Sequence, residues 1–224
     1  AEAAAETGAL RRRAGGPAPL SFGQQRLWFI DRLTPDSTFY NIPEALRLFG
    51  HLDITALERS LSEIVRRHES LRTSFTTDGG RPVQVVHDPA PLTLEVTDLS
   101  RLPEAEREQE ALRLAVEEAH RPFDLSRAPL TRAGLLRLGP QEHILLVTTH
   151  HIVSDDWSVG VFLRELSTLY GAYSRGEPSP LPELPVQYAD FAVWQREWLQ
   201  GEVLEQQVRY CKQQLGGEPP LLNL

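Results

Sequence analysis

Apolar positions along the chain alternate between helical and strand-like rhythms. Phe22, Leu27, Trp28, Phe29 and Leu33 recur at near-helical spacing and predict a short amphipathic helix ending before Pro35. Ala45-Leu46-Arg47-Leu48-Phe49 alternates as a half-buried strand does. Asp53 stands where it can cap a helix whose stripe is Leu57, Leu61, Ile64 and Val65. Strands are predicted at Leu71–Phe75, Val83–Val86 and Leu92–Val96, with Asp78-Gly79-Gly80 supplying turn chemistry between the first two. Glu104–Ala119 reads as a charged surface helix and Leu130–Leu138 as a strand. His143–Thr149 is a strand buried on both faces, because Ile144, Leu145, Leu146 and Val147 run without a polar break. Asp156–Tyr173 is a helix with Phe162, Leu166 and Leu169 inward. The proline-rich stretch from Gly176 to Pro185 connects it to a last helical region, from Val186 to about Leu215. The alternation of elements predicts an α/β class, and no internal repeat is visible.

Ala1–Pro19 lacks this periodicity and is expected to be a flexible linker. The rest divides into a folded region over 20–185 and a helical segment over 186–224. With 41% hydrophobic residues, 224 residues are enough to bury a core. A formal charge of −8, with no basic stripe beyond Arg11, Arg12 and Arg13, argues against a nucleic-acid partner. No apolar run is long enough to span a bilayer, no signal-peptide pattern is present, and the single Cys211 cannot form an internal disulfide, so a cytoplasmic setting is expected.

The chemistry-bearing residues concentrate at Thr149-His150-His151-Ile152-Val153-Ser154-Asp155-Asp156-Trp157-Ser158, between a buried strand and a helix. Neighbouring side chains on extended backbone diverge, so His150 and His151 are expected on opposite faces, which argues against a zinc site. One histidine acting on an amine or hydroxyl, its ring set by a carboxylate, is the enzymatic reading, with His151 and Asp155 as the natural pair. Two satisfied histidines at a strand end fit this pattern equally well. His51, His68, His87, His120 and His143 have no partner at a suggestive spacing.

Four ordered segments carry a resemblance: Leu20-Ser21-Phe22-Gly23-Gln24-Gln25-Arg26-Leu27-Trp28, Arg67-His68-Glu69-Ser70-Leu71-Arg72-Thr73-Ser74-Phe75, the histidine stretch as an HHxxxDG-like motif, and Tyr188-Ala189-Asp190-Phe191-Ala192-Val193-Trp194. Together they resemble the condensation domains of non-ribosomal peptide synthetases. Tyr40-Asn41-Ile42-Pro43 is similar to the subgroup that takes L-configured donors. The resemblance implies a lobe like chloramphenicol acetyltransferase, a mixed sheet flanked by helices. It also implies a second, C-terminal lobe that completes a tunnel, so that this lobe alone is expected to be inactive. Upstream and downstream peptidyl carrier domains and an adjacent adenylation domain are the implied partners. Substrates ride on the carriers' phosphopantetheine, and the domain itself binds no cofactor.

By the same resemblance His151 is the motif histidine, as base or positioner for the acceptor amine. An α-amine has a reference pKa of roughly 7.7–8.0, so positioning can suffice. His150 takes a packing or hydrogen-bonding role, and Asp155 a structural one toward an arginine of the second lobe. Asp156, Trp157 and Ser158 are expected at the substrate tunnel. Arg67 and Arg72 are expected to tie helix to strand, and Trp194 to anchor packing. Asp156 departs from the family's glycine, adding bulk and charge beside His151 and favouring its imidazolium form, so an impaired site is expected. Cys211 stands where related sequences carry tryptophan. The alternative is a non-catalytic X-type module docking a carrier domain or a tailoring oxygenase, since X domains carry a second Asp at this position. Ester-forming or cyclising relatives are disfavoured, because cyclisation domains replace the motif histidines.

Overall fold

The computed structural model describes residues 9–217. The element order is β1 (Ala18–Pro19), α1 (Phe22–Leu33), β2 (Asn41–Phe49), α2 (Ile54–Arg67), β3 (Thr73–Asp78), β4 (Arg81–Val86), β5 (Glu95–Asp98), α3 (Glu104–Ala119), β6 (Thr131–Gly139), β7 (Glu142–His150), α4 (Asp156–Tyr173), α5 (Tyr188–Trp198) and α6 (Gly201–Leu215). Caps explain the sharp helix starts. Ser21 and Gln24 form a reciprocal capping box on α1, and Asp53 accepts the Ala56 amide at 2.9 Å at the head of α2. Gly79 and Gly80 both have positive φ, as a tight hairpin between β3 and β4 requires.

The main sheet runs β2-β7-β6-β5, antiparallel except for the parallel β5–β6 edge, and a smaller antiparallel sheet runs β1-β4-β3. The main sheet is a middle layer. On one face Leu57, Leu61 and Ile64 of α2 and Leu166 and Leu169 of α4 meet Leu135, Leu145 and Val147. On the other, Ala111 of α3 covers Leu136, Leu138 and Leu146. A third cluster of Leu20, Leu27, Phe75, Leu130, Ile152 and Val153 joins the small sheet and α1 to the chain just beyond β7.

Several expectations are corrected. Leu71 lies in a 3-10 turn over Glu69–Arg72, so the strand starts at Thr73. Leu92 and Leu94 pack on the main core, and the strand predicted over Leu92–Val96 instead runs Glu95–Asp98. The last helical region is two helices, broken where Gly201 takes φ +53°. The first of them, α5, folds back on the start of α1: Gln195 accepts the Phe22 amide at 3.0 Å and Arg196 Nε reaches the Leu20 carbonyl at 2.8 Å. The segment before Leu20, expected to be a linker, is docked from Arg12 onward, while positions 1–8 and 218–224 lie outside the described residues. Ala18 and Pro19 pair with Gln84 and Val83. The buried Asp190 carboxylate accepts the Arg13 amide at 3.0 Å, the Arg12 guanidinium at 3.3 Å and the Gln187 amide at 2.7 Å.

Asp190→Ala removes the acceptor of all three bonds from a buried position. It is expected to lower stability by about 2–3 kcal/mol in urea denaturation and to open the segment before Leu20 to limited proteolysis.

Candidate active site

The chain leaves β7 at His150 and enters α4 at Asp156, and 151–155 make the turn. The two histidines diverge as the strand geometry requires. His150 is 3% exposed and packs against Tyr40 and Phe123. The Ile152 amide donates to its Nδ1 at 3.1 Å, which needs a lone pair there and leaves the proton of the neutral ring on Nε2. Burial, with a smaller contribution from His151, pushes its pKa down to about 4.

His151 is exposed. Its amide donates to the Tyr40 carbonyl at 2.8 Å and its ring stacks on Tyr40, centroids 6.3 Å apart. Nδ1 lies 2.7 Å from the Ser154 carbonyl oxygen, so Nδ1–H donates and the lone pair of the neutral ring falls on Nε2, which has no partner among the described residues. This corrects the expected pairing with Asp155, because a backbone carbonyl fixes the ring. Asp155 is committed to the helix instead. As N-cap of α4 it accepts the Ser158 amide at 2.8 Å and the Ser158 hydroxyl. The hydroxyl bond, opposed by burial and aided by the Ser158 amide and nearby His151, holds its carboxyl below the usual range.

Two cavities flank the turn. One, of about 340 Å³, is lined by His151, Ser154, Asp155 and Ser158 together with Leu27, His68 and Tyr188. The other, of about 180 Å³, lies between Ile42, Glu44, Val147 and Thr149 of the sheet and Trp157, Ser158 and Phe162 of α4. His68, Ser70, Val153, Ser154 and Ser158 line both, so the cavities share a wall. Trp157 is 83% exposed at the rim. Asp156 is exposed in the first turn of α4, where the helix dipole favours a carboxylate, and lines neither cavity.

Behind the shared wall a buried ion cluster joins α2 to α4. Arg67, 3% exposed, donates from Nε to Glu165 at 3.2 Å and from Nη2 at 3.4 Å, and its Nη1 reaches the Pro182 carbonyl at 2.8 Å. His68 Nε2 lies 2.9 Å from the same carboxylate. Burial opposes ionisation of Glu165, but the bonds from Arg67 and His68 outweigh it and hold the carboxyl below its ordinary range. Arg67 therefore ties helix to helix rather than helix to strand. Arg72 does reach a strand end, donating to the His87 carbonyl just beyond β4. His68 and Glu165 escaped the sequence because they stand far apart in the chain; a glutamate between Leu166 and the inward Phe162 was the available signal. His68, His87 and His120 all have hydrogen-bond partners, the latter two being Ser74 and the Val116 carbonyl. Trp194 stacks on Trp198 at 5.2 Å within α5, apart from both cavities, and Cys211 is exposed on α6. Among the described residues no group of His, Cys, Asp or Glu could hold a metal ion, and no helix is long and apolar enough to cross a membrane.

A histidine at a strand-to-helix turn, on a sheet layered between helices, is the arrangement the motif order implied, although the ring is held by the Ser154 carbonyl and not by Asp155. The profile of the condensation domain matches residues 15–224. The chain belongs to the condensation-domain family. A component of the linear gramicidin synthase of Brevibacillus parabrevis is 57% identical to it over 209 residues, 93% of this chain and 3% of that protein. The X-domain in its complex with OxyB from teicoplanin biosynthesis superposes with a TM-score of 0.81 at 34% identity, over 96% of this chain and 47% of that one. The first condensation domain of the CDA synthetase gives a TM-score of 0.80 at 25% identity, over 92% and 52%. This condensation-domain chain thus spans about half the length of the solved structures and a few per cent of that synthase. The neighbours agree with the expected α/β lobe of a mixed sheet flanked by helices.

Two outcomes follow from this condensation-domain site. Because the folded state resists protonating His150, stability is full above about pH 6.5 and falls as pH drops toward 4, by roughly 3 kcal/mol in total. His143, also pushed down by burial, adds in the same direction. Urea midpoints measured across this window should fall steeply in the parent and less in His150→Asn. Glu165→Ala leaves Arg67 buried and unpaired and should cost about 3–5 kcal/mol in the same measurement.

Proposed function

We infer that this domain forms amide bonds between carrier-bound groups: the acceptor's α-amine attacks the donor's thioester carbonyl, the carbon–sulfur bond breaks, and phosphopantetheine thiol leaves. The observation that carries this reading is His151, its Nδ1–H committed to Ser154 and its Nε2 lone pair free at a cavity. Nε2 orients the amine and takes its proton, which then passes to the leaving thiolate. His150 stays neutral and fixes the turn through Ile152, and Asp155 and Ser158 set the first turn of α4. The Tyr40-Asn41-Ile42-Pro43 segment supports an L-configured donor. The working unit comprises this lobe over 20–185 with the helical segment after it, a C-terminal lobe, flanking peptidyl carrier domains and an adenylation domain. Substrates arrive on carrier phosphopantetheine, and no metal or further cofactor takes part.

A second reading is favoured by the likeness to the teicoplanin X-domain, which complexes with OxyB, together with the second aspartate, Asp156. In that reading the domain docks a carrier or an oxygenase and performs no chemistry.

The deciding experiment uses the chain continued through its second lobe, with donor and acceptor carriers loaded with aminoacyl-pantetheine and product followed by intact-protein mass spectrometry. Because Asp156 lines neither cavity, dipeptidyl product with Asp156 in place, reduced about 100-fold or more in His151→Ala, is the expected outcome, against the impairment its departure from glycine suggested. Product only in Asp156→Gly would mean a site disabled at that residue. No product in any variant, with carriers still bound, would favour docking.

A further inference from the structure

β2 turns alternate side chains toward α2 and α4: Leu46 and Leu48 join the core, and Ile42 lines the smaller cavity. Glu44 occupies this same face, opposite Val147 across the ladder, and lines that cavity too. It is half-buried, and its carboxylate makes no hydrogen bond or ion pair with any described residue. A carboxylate at a core-facing register costs free energy unless a complementary group meets it. No lysine or arginine lines the cavity, and its other ionisable wall group, His68, is already bound to Glu165. The apolar wall of Ile42, Val147, Trp157 and Phe162 therefore forms a sleeve with one anionic end. Such a sleeve suits a cation on a hydrocarbon stem, whose methylenes take the apolar wall while its charge meets Glu44.

We propose that this cavity is the side-chain pocket for the aminoacyl group on the acceptor carrier, and that Glu44 selects a long-stemmed cationic side chain of the lysine, ornithine or arginine type. The assignment to the acceptor rests on the condensation reading, which puts the acceptor's α-amine at His151. The cavity at His151 adjoins the smaller one at Ser154 and Ser158, which line both. Val147, the cross-strand partner of Glu44, stands three residues, roughly 10 Å at the rise of a strand, before the end of β7 at His150, and His151 follows in the turn, so a short side chain falls short of the carboxylate.

The test measures condensation and binding side by side, with the acceptor carrier bearing lysyl- or norleucyl-pantetheine and the chain continued through its second lobe. The ratio of lysyl to norleucyl kcat/KM should favour lysine and fall about tenfold in Glu44→Gln. In Glu44→Lys it should invert, with glutamyl acceptors gaining. A ratio that is the same in all three proteins overturns the pocket. If no variant turns over, the binding preference for the lysyl carrier decides: its loss in Glu44→Gln keeps the pocket while the condensation reading fails, and its indifference to Glu44 overturns both. Lysine dependence that follows the donor carrier instead overturns the assignment to the acceptor.

Discussion

The carboxylate of Glu165 sets the geometry on which the rest depends. It lies almost wholly inside, where the bonds from Arg67 and His68 favour its ionised form against burial, and those residues belong to the end of α2 and the turn beyond it. The pair fixes the axial position of α4 against α2, and α4 in turn fixes the turn that presents His151. Apolar stripes alone would allow the helices to slide by a turn at modest cost. A charge pair with directional hydrogen bonds does not. The same contact places His68 on the wall between the cavities, so one interaction sets both the helix register and the shape of the site.

The two adjacent histidines have opposite fates for a reason that begins in the pleat of β7. His150 faces inward, gives up its charge, and serves as an acceptor for the backbone. His151 stands just past the ladder, is anchored through Nδ1, and offers the other nitrogen outward. Neither condition needs a carboxylate. Asp155 keeps its hydrogen bonds within its own helix turn, which starts α4 sharply enough to hold the Ser154 carbonyl under the imidazole.

Elements with a strong period were legible. The stripe of Leu57, Leu61, Ile64 and Val65, the unbroken run of Ile144 to Val147, and the bounds of Glu104–Ala119 and Asp156–Tyr173 came directly from spacing. What spacing could not supply was any contact made across the chain. β5 has four exposed residues and forms only because β6 offers a parallel edge, so its own sequence carries little strand signal. The docking of Arg12 and Arg13 depends on Asp190, far away in sequence. At the site, the divergence of His150 and His151 was legible from alternation, whereas the Ser154 carbonyl was not, since a backbone atom leaves no mark on residue identity. Glu44 lies just ahead of the predicted run Ala45–Phe49, and only the longer strand from Asn41 and the cavity give its charge a meaning.

The docking of the chain before Leu20 also has a mechanical consequence. Eight residues from Arg12 to Pro19, which if free would extend to about 26 Å of tether, are instead fastened to Asp190 and β4. The point at which the chain meets the body of the fold is therefore Arg12, on the flank of α5, rather than the start of α1. Tension on that join would be borne first by the contacts of Arg12 with Glu69 and Asp190, and the chain would lengthen stepwise as they give way.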